Sequence, residues 1–308
     1  LIGRALSQTL VSQGYKVRGF GLGEQFYRQQ HFFQPLIDTG AFTFEIGSIL
    51  DEVALSAALE GCDAAIHLAA MMGLHKTESN RLRCFSINVN GTQNVLSGCA
   101  ARRVPHVIYL SSSAVYGQPA RNPIKETDEV KPINIYGLTK LAAEELTKSY
   151  SQSFPDLNYT IVRLFTTYGL YSNGQLAIDA FVSQVLKGEN PRVFGSGDQT
   201  RCYTHVDDVV SALTAMLGNP VAFGKTYNVG NPGAVVSIRE LAQRVINIVS
   251  PDRGLSVQFV PPAPVLTGRD IHTSYADITL AAQELGYQPR VSLDEGVARM
   301  ATANRRNP

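Results

Sequence analysis

The sequence predicts an α/β protein, a doubly wound parallel sheet with a smaller α+β lobe. Two observations carry this. Strand-like and helix-like periods alternate through the first half, and such alternation gives parallel strands joined by crossover helices. From about Gly169 the pattern loosens, Pro and Gly become frequent, and helices interleave with short strands.

Taken in order, Arg4 to Gln13 reads as a helix closed by Gly14, and Lys16 to Phe20 as a short strand. Val53 to Leu59 reads as a helix and Ala64 to Leu68 as a buried strand. Val89 to Arg102 is helical, and Val107 to Leu110 is a strand running into a serine cluster. Gly137 to Ser151 has strong amphipathic periodicity, and Thr160 to Leu164 is another strand. In the second half Ile238 to Val249 reads as a helix. Ser237 with Glu240, and Ser292 with Glu295, have capping-box spacing. The opening Leu1-Ile2-Gly3-Arg4 reads as the inside of a helix's first turn, so a lost upstream segment is expected.

Of 308 residues, 44% are hydrophobic and 17% charged, an ordinary balance for a globular core. A net charge of +1 gives no global field to recruit nucleic acid or an anionic membrane. The longest apolar runs, such as Ala64 to Met72, are too short to span a bilayer. Cysteines 62, 84, 99 and 202 form no C-x-x-C pair and have no histidine cluster beside them. They suit neither zinc nor a disulfide framework, and four reduced thiols point to the cytoplasm.

The chemistry concentrates between Val107 and Lys148. Tyr136 and Lys140 stand i, i+4 on a predicted helix, so both side chains project from one face. An ammonium beside a phenol favours phenolate and is expected to pull the tyrosine below its free value of ~10. A hydroxyl from the serine cluster, at a strand's carboxyl end, can hydrogen-bond an oxygen whose proton the tyrosine takes. Tyr-x-x-x-Lys alone recurs by chance on many amphipathic helices. The serine-rich strand end upstream makes it informative.

Ordered motifs over nearly the whole chain resemble the extended short-chain dehydrogenases, the NAD-dependent epimerase/dehydratases of nucleotide sugars. They include Leu1-Ile2-Gly3, His67-Leu68-Ala69-Ala70, Asn88-Val89-Asn90-Gly91-Thr92 and Ser111-Ser112-Ser113-Ala114-Val115-Tyr116-Gly117. Tyr136-Gly137-Leu138-Thr139-Lys140, Arg163-Leu164-Phe165, Gly197-Asp198-Gln199-Thr200-Arg201, Val206-Asp207-Asp208-Val209, Tyr227-Asn228-Val229-Gly230 and Leu285-Gly286-Tyr287-Gln288-Pro289 follow. The resemblance implies a Rossmann-type domain over residues 1–168, with its first strand and glycine-rich turn mostly missing. A substrate-binding lobe is expected over 169–308, with about 202–230 returning to the first domain. It implies Tyr136 as acid and base, Lys140 on the nicotinamide ribose, and Ser112 as the catalytic hydroxyl. Gly3, Ile49, Leu68, Ala69, Ala70 and Phe165 are expected at the cofactor, together with Tyr136 and Lys140. Ser112, Ser113, Thr166, Arg201 and Arg269 are expected at a nucleotide-diphosphate sugar.

Sugar dehydratases of this family carry Asp-Glu after the catalytic hydroxyl, and the decarboxylases keep the glutamate. Ser113 and Ala114 stand there and can do neither job. What remains is proton and hydride transfer at one carbon, in a 4-epimerase or a one-way reductase or dehydrogenase. Asn173, where uronate epimerases place an arginine, favours a neutral hexose. The acid expected after the second strand is Gly21, and the adenine-side Asp is Ser48. NAD is expected, with NADP the alternative; Arg18 and Arg28 are the candidate partners for its phosphate. These departures also leave open a non-catalytic sensor of the dinucleotide. A homodimer is expected, through the helices around Val89 to Arg102 and Gly137 to Ser151.

His67 and His205 read as packed structural histidines, and Asp207-Asp208 as acids opening a helix. Met71-Met72-Gly73 reads as the nicotinamide side of a cleft or as packing. The charged run Lys125 to Lys131 reads as a solvated loop.

Overall fold

The computed structural model describes residues 1–170, 174, 176–261 and 271–306. Asn173 and Arg269, both read from the sequence as bearing on the substrate, lie outside the described residues.

The sheet is parallel and comes in two pieces. Strands β1 (Val17–Gly21) and β2 (Phe42–Ile46) pair with each other, in register from Val17↔Phe42 to Gly21↔Ile46. Strands β3 (Ala65–His67), β4 (His106–Ser112), β5 (Asn158–Leu164) and β6 (Lys225–Val229) form the second piece, in the order β6-β5-β4-β3. All its pairs are parallel. Every strand therefore ends at the same edge of its sheet, where α/β folds gather ligands.

Both faces of the larger sheet are covered, which is why β4 reads as a continuous apolar run. Ile108 and Leu110 meet helices α1 (Ile2–Ser12) and the later Val206–Met216 in one cluster with Leu6, Leu10, Val209 and Leu213. Val107 faces the other way, onto Leu55 of α2 (Glu52–Ala58) and Leu96 of α3 (Gly91–Ala101). Tyr109 packs with Ala143 of α4 (Ile135–Ser153). Labelling Val206–Met216 as α5 completes the two layers.

The second half has its own core, where Ile178, Phe181, Val193, Leu241, Val245 and Val297 are fully or nearly fully buried. Its three-stranded sheet joins Thr200–Cys202 to Val235–Ser237 antiparallel and to Thr273–Ser274 parallel. Ala281 and Tyr287 pack with α5 and β6 in the first core, so the late chain returns there as well as residues 206–229. The Ser237 hydroxyl accepts from Glu240 N and Ser292 from Glu295 N, each at 3.2 Å.

Two sequence readings change. The Lys125–Lys131 loop is pinned to the sheet: Glu126 Oε1 accepts from Asn228 N at 2.8 Å, and the Glu126 carbonyl accepts from Arg163 at 3.0 Å. A polar strand end needs these partners, and the charged run supplies them. At α5 the cap is His205, whose Nδ1 accepts from Asp207 N, rather than an acid. Asp208 instead accepts from the backbone of Arg290 and Val291, and Asp207 pairs with Arg299 at 3.0 Å.

Gly117 closes the loop after β4 at φ +62, and a Cβ there would lie 1.9 Å from the Lys131 carbonyl oxygen. Gly117→Ala is expected to lower unfolding free energy by roughly 1–3 kcal/mol or more, read by urea denaturation, through both strain and collision. An unchanged midpoint would contradict the packing described.

Candidate active site

Strand β4 runs past β3 and ends at Ser112, whose extended backbone (φ −151, ψ 149) turns into a 3₁₀ turn over Ser113–Tyr116. The Ser112 hydroxyl accepts from Ala114 N at 3.2 Å. Helix α4 starts beside this turn, capped by Asn134, whose Oδ1 accepts from Gly137 N at 2.9 Å. A Cβ at Gly137 would sit 2.4 Å from the Ala114 carbonyl oxygen, so only glycine permits this approach. Tyr136, in the helix's first turn, is thereby brought near Ser112, whose hydroxyl acts on the phenol.

Burial pushes the Tyr136 phenol up to about 12, with the Ser112 hydrogen bond pulling the other way. This corrects the expectation that Lys140 draws the phenol below its ordinary value. Lys140 is buried one turn along α4 and faces the sheet, not the phenol. Its Nζ donates to the Leu110 carbonyl at 2.6 Å and stands 4.7 Å from the centre of the Tyr109 ring. Burial lowers the Lys140 ammonium to about 8, opposed by the Glu144 carboxylate. One of three ammonium donors is used by Leu110, leaving the others for a ligand.

Several of the other candidate residues lie near strand ends. Gly3 opens α1 against Leu68, whose Cδ1 would lie 3.4 Å from a Cβ on Gly3. Leu68, Ala69 and Ala70 follow β3 directly, with Ala69 exposed. Ile49 packs over Gly91 at the start of α3. Phe165 follows β5, buried, its N–H donating to Val229 O at 3.0 Å. Ser113 and Thr166 are half-buried beside these ends, and the Thr166 carbonyl accepts from Thr204 N at 2.8 Å. Arg201 lies on the lobe's sheet, donating to the carbonyls of Thr200 and His272. Gly21 and Ser48 leave no acid at the ends of β1 and β2.

A model of the NAD dependent epimerase/dehydratase family matches residues 1–230. The chain belongs to that family. It is 31% identical to the uncharacterized UDP-glucose epimerase YtcB of Bacillus subtilis (strain 168) over 265 residues, 85% of this chain and 80% of that protein. Its fold is similar to a UDP-glucuronic acid 4-epimerase from Bacillus cereus solved with UDP-glucuronic acid and NAD. The TM-score is 0.88 at 27% identity, over 100% of this chain and 96% of that one. A UDP-glucose 4-epimerase from Thermotoga maritima solved with UDP-glucose superimposes with a TM-score of 0.87 at 25% identity, again over 100% and 96%.

Within this family member, the sequence motifs hide a polar scaffold around the trio. Asn88 lies in a turn of π-helix, Ser86–Asn90, a distortion that often marks functional sites. Its Oδ1 accepts from Met71 N at 2.7 Å, and its Nδ2 donates to Met71 O and to Thr139 Oγ1, each at 3.0 Å. The segment after β3 is thereby locked to the catalytic helix; Met71 is buried and Met72 exposed. Glu144, Arg163, Tyr116 and Asn228 form a second buried network. Tyr116, Arg163 and Asn228 stand in the family motifs of the sequence, while nothing there singles out Glu144, four residues after Lys140.

His67 is structural. The Thr92 hydroxyl donates to Asn88 O at 2.6 Å, so at 3.0 Å it accepts from His67 Nε2, which fixes the Nε2–H tautomer. Burial lowers His67 from 6.5 to about 3, with Lys140 adding to the effect. The unfolded chain takes up this proton as pH falls through 6.5 while the fold does not. Stability from the neutral ring is therefore whole above pH 6.5 and is lost on the way down toward 3, by roughly 1.4 kcal/mol per pH unit. His106, buried and lowered to about 4, adds a similar slope. Urea unfolding of His67→Gln between pH 7 and 5 should show a shallower loss than the parent; an equal slope would refute the neutral, buried ring.

Proposed function

We propose that this chain is an NAD-dependent nucleotide-sugar 4-epimerase of the UDP-hexose type, with Ser112, Tyr136 and Lys140 as its catalytic residues. The observation that carries the reading is the convergence of Tyr136, in the first turn of α4, with Ser112 at the open end of β4, an approach that Gly137 permits, with Lys140 one helical turn behind. Relatives solved with UDP-sugars and NAD support it.

NAD, when bound, supplies a hydride acceptor that can return the hydride to either face of the same carbon. Gly3, Ile49, Leu68, Ala69, Ala70 and Phe165 would hold it, and Lys140's remaining donors would hold its ribose. The chain's own part is proton handling. Ser112 holds the sugar's 4-hydroxyl oxygen, and Tyr136 takes its proton as the 4-keto sugar forms. Tyr136 gives the proton back when the rotated keto sugar is reduced. A phenol raised to about 12 suits the donor step, and as a base it would need positive charge close by, which an oxidised nicotinamide ring would supply. Ala114 supplies no acid after Ser112, so the reaction stops at epimerisation.

NADP gains no support from the arginines the sequence offered. Arg18 donates to the Ala58 and Glu60 carbonyls at 2.7 and 2.8 Å, and Arg28 pairs with Glu24 at 2.6 Å. Ser113, Thr166, Arg201 and Arg269 are proposed to contact the sugar and its diphosphate. The chain is proposed to pair as a homodimer along α3 and α4, beside which Leu82, Phe85 and Leu138 are exposed. Among the described residues no helix is long and apolar enough to cross a membrane. A cytoplasmic location fits the four free cysteines.

Tyr136→Phe is expected to cut turnover by a thousandfold or more, more than general acid–base catalysis of about 10²–10⁴ alone would require at its lower end. Dinucleotide binding, followed by calorimetry, should change little. Proton NMR of the protein with NAD and a panel of UDP-hexoses should show a new anomeric signal at constant NAD. Turnover only with NADPH and a keto sugar would identify a reductase, and binding without any turnover a sensor.

A further inference from the structure

The lysine of the trio is buried, and the groups around it are nearly all neutral. From β4 it meets the Leu110 carbonyl and the Tyr109 ring face. From β3 comes His67, held neutral. The Cys84 thiol, pushed up by burial, approaches from the helical side. The remaining neighbour acting on it is Glu144, one turn further along α4 and fully buried.

Glu144 does not belong to Lys140 alone. Arg163 of β5 grips it with two bonds, Nε to Oε1 at 3.0 Å and Nη2 to Oε2 at 2.8 Å. Ser111 donates to Oε1 at 2.5 Å. Arg163 in turn donates to the Tyr116 hydroxyl and the Glu126 carbonyl, each at 3.0 Å. One buried carboxylate, held by three hydrogen bonds from Arg163 and Ser111, thus lies one helical turn from a second buried cation, Lys140. A single ion pair for Arg163 would need no lysine nearby, and Lys140 would need no rigid partner if solvent reached it.

We infer that Glu144 is a positioning residue for the reaction, the fixed counter-charge that keeps Lys140 protonated and aimed across β4. The inference rests on the proposed role of Lys140, but its geometry does not depend on which sugar is turned over. Without the carboxylate, two cations would share one dry pocket, and the proton on Lys140 is the one that can leave, because a guanidinium cannot lose its own. Arg163 has the opposite effect, since it draws on the same carboxylate. Removing it leaves Glu144 to Lys140.

The test is a pH titration of lysine side chains carrying ¹³C at Cε, read by NMR on the full chain, with Lys140 assigned by its disappearance in Lys140→Met. In the parent the Lys140 resonance should titrate well below the surface lysines. In Glu144→Gln it should titrate at least about one unit lower still, the low end of the effect of a nearby opposite charge. Glu144→Asp should restore most of the difference. In Arg163→Gln it should move upward, which also serves as the test if Glu144→Gln does not fold. The alkaline limb of kcat/KM should follow the same directions. A titration unmoved in Glu144→Gln, or moved downward in Arg163→Gln, would overturn the inference. If the resonance shifts as stated while no UDP-hexose is epimerised, the proposed activity fails and the counter-charge stands.

Discussion

A side chain at residue 137 would strike the Ala114 carbonyl, and the site depends on that atom's absence. Close approach of α4 to the turn after β4 puts the first turn of a helix against the end of a strand. Everything chemically relevant then follows from spacing. Tyr136 falls beside Ser112, Lys140 falls one turn deeper, and Glu144 one turn deeper again, reaching Ser111 and Arg163. A helix set back by one side chain would leave a phenol and a hydroxyl pointing into the same cleft without meeting. Asn134 and Asn88 secure the approach from both ends, one as the helix cap and the other as a tie to the chain leaving β3.

The electrostatics of the pocket divide in a way that burial dictates. Histidine and tyrosine give up their charged forms at little cost and are held neutral, as His67 and Tyr136 are. Arginine keeps its proton in any surroundings, while the buried lysine lies near a carboxylate that water cannot screen. The outcome is a site whose proton donor is reluctant to ionise and whose cation is close to losing its proton. Both conditions would shift with a charged ligand arriving in the cleft.

Much of this was legible in the residues. Strand β4 announces itself because burial on both faces makes Val107 to Leu110 a continuous apolar run, and α4 because its periodicity is long. Tyr136 and Lys140 could be picked out from spacing joined to the serine-rich strand end, whereas the choice of Ser112 among its serines rests on the family resemblance. What spacing could not tell was direction. Residues four apart share a helix face, yet Lys140 turns to a carbonyl on β4 and not to the phenol. The reach of a flexible side chain is decided by the partner it finds in three dimensions. The same applies to Arg18, offered as a phosphate partner and found tied to the carbonyls closing α2. The loop from Lys125 to Lys131 looked solvated because its charges are dense. The backbone of β6 and the side chain of Arg163 required exactly one carboxylate and one carbonyl from it, a need that no local pattern displays.

The strands β1 and β2 carry an interior of their own, an aromatic stack of Phe26, Phe33, Phe42 and Phe44. Rings packed in this way fill space with few rotatable bonds. Exchanging one of them for a small side chain would leave a void that its stiff neighbours cannot close, so the loss would be felt as cavity as well as lost burial.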